Sequence, residues 1–248
     1  MYWLESTVIL TEGDIKDMNN NKEGNPEESF YLCESIWLDR DKKMLIDIEF
    51  PSPKLLNIND ITDCIVIIER EIKEWLFEPM ILLINNDLEN KLNYRPFKNS
   101  IFVLYGIFSY IEKIQRFREG KFYSSGDNNS TKILTQGFKR LFPDNEQNDY
   151  GNQKIGQILK NTRHSLMHFG NIGDKVLINN DYENSVPVVY LGSNRKIEIN
   201  PLEMIKIIIN DFNSYLDELR DENNYKIREN FMKVFKSYYA DEISILQS

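Results

Sequence analysis

Residues 152–169 read NQKIGQILKNTRHSLMHF, and the spacing of their apolar side chains predicts an amphipathic helix. At about 100° per residue, one face of this motif helix collects Ile155, Ile158, Leu159, Thr162, Leu166 and Phe169. The other face collects Gln157, Lys160, Asn161, His164, His168 and Asn171, with Arg163 and Met167 on a flank. Gly170 is a suitable helix stop. The helix therefore has one side for a core and one for solvent or a ligand.

Helical spacing continues on both sides of the motif helix. It predicts a first long helix from residue 61 to Trp75, capped by Asn59 or Asp60, and further helices over 97–118 and 131–142. Pro201 begins a helix whose apolar side chains lie on one face. Another helix is predicted from Tyr225 to about residue 245. The sequence thus predicts a mainly α fold.

Two regions carry strand patterns instead. Residues 1–56 form a small β-containing N-terminal region, with strands expected over 3–10, 30–38 and 44–50 and a hairpin through 39–43. Residues 57–248 form the helical domain. A short β insert within this domain, at about 174–200, is expected to contain strands over 175–178, 186–191 and 196–199.

Composition limits the class of protein. The net charge of -9 argues against a general nucleic-acid coating protein, since phosphate binding depends on Lys and Arg. The charge is uneven: residues 95–168 hold 12 Lys+Arg and 6 Asp+Glu, a balance of +6, which leaves -15 elsewhere. Cys33 and Cys64 lie in apolar contexts, which argues against a disulfide scaffold or a four-cysteine zinc site. No membrane or targeting segment is recognised, and a cytoplasmic protein is expected.

The chemistry-bearing residues are concentrated in the motif helix. The chain has 2 histidines, His164 and His168, four positions apart and next to Arg163. Histidine exchanges protons near neutral pH, and arginine offers a charged fork of donors to phosphate. This combination suits phosphodiester chemistry.

A helical bundle with an Arg-x4-His element on an inner helix, and a polar residue after the arginine, resembles the HEPN family of ribonucleases. The resemblance covers roughly residues 57–219 and implies a HEPN-like antiparallel helical bundle there. It implies a metal-independent endoribonuclease without a cofactor, leaving 2′,3′-cyclic phosphate and 5′-hydroxyl ends. His168 would be the general acid or base, Arg163 would hold the scissile phosphate, and His164 would line the cleft and orient the phosphate or His168.

The resemblance also implies partners. Family members usually pair two copies of the motif across a two-fold interface, so a homodimer through the motif helix is expected. They typically act as toxins or in phage defence by cutting RNA, with an antitoxin or activator protein as a further partner. Toxins controlled through a tyrosine two residues after the histidine differ from this chain, which has Gly170 there.

Three alternatives compete with catalysis. The two histidines could ligate a metal, but Ser165 replaces the glutamate of the zinc-protease helix and no third ligand is evident. They could also cap a helix or hydrogen-bond within a core, leaving Arg163 an ordinary surface residue. The chain could finally be a non-catalytic HEPN-like module that binds RNA, a nucleotide or a protein.

Other conspicuous groups have ordinary interpretations. The residues Glu69, Glu71 and Glu74, with Arg70 and Lys73, are interpreted as a solvated helix face with ion pairs one turn apart. A set of aromatic residues at helical spacing is assigned to the core: Phe97, Phe102, Tyr105, Phe108 and Tyr110. Four basic residues either track RNA toward the motif or serve solubility: Lys139, Arg140, Lys154 and Lys160.

Overall fold

Within the described residues, the N-terminal sheet is an antiparallel meander of four strands. The computed structural model describes residues 29–39, 43–48, 53–89, 99–122, 130–143, 155–165, 173, 176–179, 187–191 and 196–247. Its first strands are β1 (Ser29–Cys33), β2 (Ile36–Asp39), β3 (Met44–Asp47) and β4 (Lys54–Leu56), paired in chain order.

The predicted strands of this sheet agree only in part with the observed ones. The single strand expected over 30–38 is wrong, because the chain reverses between Cys33 and Ile36, which pair with each other. The hairpin through 39–43 is confirmed by the pairing of Asp39 with Met44. The strand expected over 3–10 lies outside the described residues.

Helices make up most of the described chain, as predicted. They are α1 (Ile61–Ile72), α2 (Glu78–Glu89), α3 (Ser100–Glu119), α4 (Ser130–Leu141), α5 (Ile155–Leu159), α6 (Pro201–Arg220), α7 (Tyr225–Tyr238) and α8 (Ala240–Gln247). Two π-helical turns interrupt the α-helical pattern. One, Lys73–Phe77, lies between α1 and α2, and the other, Lys160–His164, follows α5 directly.

The predicted helix starts are confirmed by their caps. The Asp60 side chain accepts a hydrogen bond from the Thr62 backbone N–H at 2.8 Å and begins α1. Asn200 accepts from the Glu203 backbone N–H at 3.2 Å, and Pro201 occupies the first turn of α6, where a missing N–H is harmless.

The predicted β insert is also present. Strands β5 (Val176–Ile178), β6 (Val188–Leu191) and β7 (Lys196–Ile199) form a three-stranded sheet with β7 in the centre. β7 pairs in parallel with β5 and antiparallel with β6. The insert thus lies between the motif helix and α6 in sequence.

Contacts divide the chain into two compact units. The sheet unit comprises Met1–Trp75 and Phe231–Ser248, and the motif unit comprises Leu76–Asn230. These units are defined by contacts between residues. The domain boundary expected near residue 56 is based on the sequence pattern and stays a prediction. The motif helix, α3, α4 and α6 all belong to the motif unit.

An aromatic cluster forms the centre of the motif unit. The Phe77 ring lies 5.5 Å from the rings of Tyr110 and Phe212, centroid to centroid. Phe108 and Tyr110 are buried, as expected for core aromatics. The same expectation is wrong for Phe102, which is 63% exposed, and Phe97 lies outside the described residues.

A π-helical turn changes which side chains α1 directs inward. After Ile72 the next buried apolar residue is Phe77, five positions on, because a π turn takes one more residue than an α turn. Trp75, expected on the apolar face, is consequently 53% exposed. Glu74 is buried and accepts a hydrogen bond from the Ser35 backbone N–H at 2.9 Å.

The interpretation of the Glu69–Glu74 region as a solvated face is therefore only partly right. Lys73 pairs with Glu69 at 2.6 Å, one turn away, as expected. Glu74 instead satisfies the backbone and hydroxyl of Ser35, and Glu71 accepts a hydrogen bond from the Tyr239 hydroxyl. Two of the three carboxylates thus join secondary-structure elements of the sheet unit.

Candidate active site

The described part of the motif helix has the two faces that the sequence predicts. Ile155, Ile158, Leu159 and Thr162 are buried, and the Thr162 hydroxyl donates to the Ile158 carbonyl at 2.6 Å. Gln157, Lys160 and His164 are exposed. The predicted residues Leu166, Met167, His168, Phe169, Gly170 and Asn171 lie outside the described residues.

The turn that carries Arg163 and His164 is π-helical. The Ser165 backbone N–H donates to the Lys160 carbonyl, five residues back. The Asn161 carbonyl accepts from the Gly173 backbone N–H at 2.8 Å. Gly173 suits this approach, because a Cβ there would lie 2.9 Å from Asn161 Oδ1. Single π turns occur frequently at functional sites, and this one coincides with the predicted motif.

Arg163 is held by an acid from α3. Its Nη2 lies 3.3 Å from Glu112 Oε2, and its side chain is 25% exposed. The guanidinium is therefore tethered to α3, while the side chain as a whole keeps some exposure to solvent. Among the described residues, Glu112 is the ion-pair partner of Arg163.

Glu112 is in turn fixed by two further side chains. Its Oε1 accepts from Arg116 Nε at 3.3 Å and from Arg116 Nη2 at 3.0 Å. The Ser130 hydroxyl, at the start of α4, donates to the same oxygen. Glu112 and Arg116 are both buried, and Arg116 Nη1 also donates to the Phe122 carbonyl at 3.4 Å. We call Glu112, Arg116, Ser130 and Arg163 the arginine cluster.

The structure thus brings two of the three predicted site residues onto one turn. Arg163 joins the arginine cluster and His164 stands exposed beside it. His168, the predicted general acid or base, lies outside the described residues, so its role stays a prediction.

Sequence reasoning missed Glu112 and Arg116. A usable signal was present: Glu112 follows Phe108 by four residues and Ile111 by one, which puts it at the edge of the apolar stripe of α3. A charge at such an edge needs a partner, and Arg116 is one turn further on. What the spacing could not reveal is the long-range partner, Arg163.

Some of the positive charge over residues 95–168 is engaged in ion pairs. Arg140 makes two hydrogen bonds to the Asp211 carboxylate, and Arg118 makes two to Glu218, at 2.8 and 3.1 Å. Arg140 is thus engaged within the motif unit. Lys139 and Lys160 are exposed, and Lys154 lies outside the described residues.

Across the described residues, no group of three or more His, Cys, Asp or Glu side chains is arranged to hold a metal ion. None of the helices in that part of the chain combines the length and apolar character needed to cross a bilayer.

Comparison of the chain with protein-family models, with curated proteins and with solved structures gave no match.

Proposed function

We propose that this protein is a metal-independent endoribonuclease of the HEPN type, whose reaction centre is the Arg163–His168 motif. The observation that carries the proposal is Arg163 itself, held by the buried Glu112 carboxylate yet partly open to solvent on a π-helical turn. An arginine that is both oriented and accessible suits a phosphate, whose charge grows as the bond to the leaving oxygen breaks. The proposed substrate is RNA.

The roles follow from ordinary phosphodiester chemistry. His168 would take the proton of the 2′-hydroxyl or return one to the 5′-oxygen that leaves. Arg163 would bind the phosphate oxygens, and exposed His164 would contact the phosphate or orient His168. The products would be a 2′,3′-cyclic phosphate and a 5′-hydroxyl. We further propose a homodimer through the motif helix and a role as a toxin or defence effector.

One observation favours a second candidate, a non-catalytic binding module. The Arg163–Glu112 pair is also what a purely structural arginine would form, since it joins the motif helix to α3. In that case the bundle would bind RNA, a nucleotide or a protein without cutting it.

Cleavage of total bacterial RNA in the presence of EDTA tests the proposal. Wild type would be compared with Arg163→Ala, His164→Ala and His168→Ala, each checked for its melting temperature. Arg220→Ala removes an exposed arginine from α6 and is the matched control.

The expected loss is about 100-fold to 1000-fold for Arg163→Ala and at least about 100-fold for His168→Ala. Arg220→Ala should cleave like wild type. Equal cleavage by all variants, or RNA binding without cleavage by wild type, would instead favour the binding module.

A further inference from the structure

Glu112 divides its two oxygen atoms between different partners. Oε1 accepts from Arg116 and from the Ser130 hydroxyl, whereas Oε2 faces Arg163 Nη2 at 3.3 Å. The carboxylate therefore joins α3, the start of α4 and the motif turn. A side chain with one oxygen anchored and the other directed at a second cation is suited to orient that cation.

The anchoring side of the cluster is buried, whereas the oriented side is not. Glu112 is 6% exposed and Arg116 is 2% exposed, but Arg163 retains 25% of its side-chain exposure. Arg116, Arg163 and Glu112 together carry a formal charge of +1, from two cations and one anion. An incoming phosphate would meet a positive group whose orientation is already set.

We infer that Glu112 is a positioning residue, which fixes the guanidinium of Arg163 so that its remaining donors meet an RNA phosphate. This inference rests on the proposed function and names a second residue of the same site. Because an unanchored arginine samples many rotamers, loss of Glu112 would lower the fraction of molecules with a correctly oriented guanidinium.

The direction in which neutralising Glu112 changes RNA affinity tests the inference, because simple charge repulsion predicts the opposite change. Glu112 is negative and close to the proposed phosphate site, so a carboxylate that merely repels or competes with phosphate would weaken RNA binding. Its neutralisation would then tighten binding. A positioning carboxylate gives the opposite result, in which neutralisation weakens binding although the site becomes more positive.

The experiment is a double-mutant cycle with Glu112→Gln, Arg163→Ala and the combined variant. Cleavage would be measured as kcat and KM, and binding by fluorescence anisotropy with a single-stranded RNA methylated at every 2′-oxygen, which cannot be cleaved. Glu119→Gln removes the same charge from the same helix and is the matched control. Melting temperatures verify that each variant is folded.

We expect Glu112→Gln to weaken binding and to lower kcat by about tenfold to 100-fold in the wild-type background. In the Arg163→Ala background the same change should have an effect below about twofold, since the residue that Glu112 orients is absent. Glu119→Gln should behave like wild type. If Glu112→Gln melts below the assay temperature, Glu112→Asp replaces it, because it keeps the charge but withdraws the carboxylate by one methylene.

The outcomes separate the inference from the proposed function. Equal effects in both backgrounds, tighter binding, or a fully active Glu112→Asp would overturn the positioning role, while cleavage by wild type would still support the ribonuclease. Binding that shows the expected dependence on Arg163 without any cleavage would support positioning and reject the ribonuclease. Wild type that neither binds nor cuts RNA would reject both.

Discussion

Both cysteine thiols are buried in the sheet unit, and burial determines their reactivity. It raises the pKa of Cys33 to about 12, with a further contribution from nearby Glu74, and it raises the pKa of Cys64 to about 12 as well. The reactive species is the thiolate. We expect neither thiol to react with a disulfide reagent at pH 8 in the native protein, and both to react in denaturant. A thiol that reacts within seconds before unfolding would contradict the buried placement.

Asp211 is the residue on which several polar contacts of the motif unit converge. It pairs with Arg140, accepts from the Tyr110 hydroxyl at 2.6 Å and lies 3.8 Å from Arg118. Asp211→Ala would leave the Arg140 guanidinium without its carboxylate and the Tyr110 hydroxyl without its acceptor, while Arg118 keeps Glu218. We expect the free energy of unfolding to fall by about 2 kcal/mol, less than for a fully buried pair because Arg140 is partly exposed.

The control for Asp211→Ala lies on the same helix. Asp217 is exposed and 3.8 Å from Arg220, so Asp217→Ala should change the free energy of unfolding by less than about 0.5 kcal/mol. Urea denaturation followed by circular dichroism would measure both variants. Similar losses for the two would show that the Asp211 contacts add nothing beyond a surface charge.

Helices α3 and α4 approach closely at Gly137. A Cβ at this position would lie 2.7 Å from Ile111 Cγ2 and 3.0 Å from the Ile111 carbonyl oxygen. Gly137→Ala should therefore lower the free energy of unfolding by about 1–3 kcal/mol, even though alanine favours helix. Among the described residues, no atom outside the helix backbone lies within 4 Å of a Cβ added to Gly156 in α5, so Gly156→Ala should stabilise by up to about 1 kcal/mol. Denaturant titration would compare the two variants. Changes of the same sign in their free energies of unfolding would refute the close approach of α3 and α4 at Gly137.

At the scale of elements, the sequence predicted most helices but missed the two π turns. Apolar spacing and caps located α1, α3, α4 and α6, because these signals are local. A π turn adds one residue without any distinctive composition, so the pattern that directed Trp75 inward failed beyond Ile72. The same limit applies at the site. The motif indicated Arg163 and His164, whereas Arg163 meets Glu112, 51 residues away, through tertiary packing.

At the scale of the whole molecule, the sheet unit should be sensitive to alkali. Burial raises the pKa of Cys33 and Cys64 from 9.0 to about 12, and it raises the pKa of Tyr239 above its ordinary value, with Glu71 adding to the effect. At pH 7.5 these groups are protonated in both folded and unfolded chains and do not make stability depend on pH. Above pH 9 the unfolded chain releases protons that the folded chain retains.

The free energy of unfolding of the sheet unit should consequently fall by about 1.4 kcal/mol per group for each pH unit above the unfolded pKa. Among the residues that the structure describes, Trp37 and Trp75 belong to this unit, so tryptophan fluorescence in urea titrations at pH 7.5, 9 and 10.5 reports its stability. Tyr239→Phe should reduce the fall between pH 9 and 10.5, since it removes one such group. The same free energy of unfolding at all three pH values would mean that these groups are not buried as described.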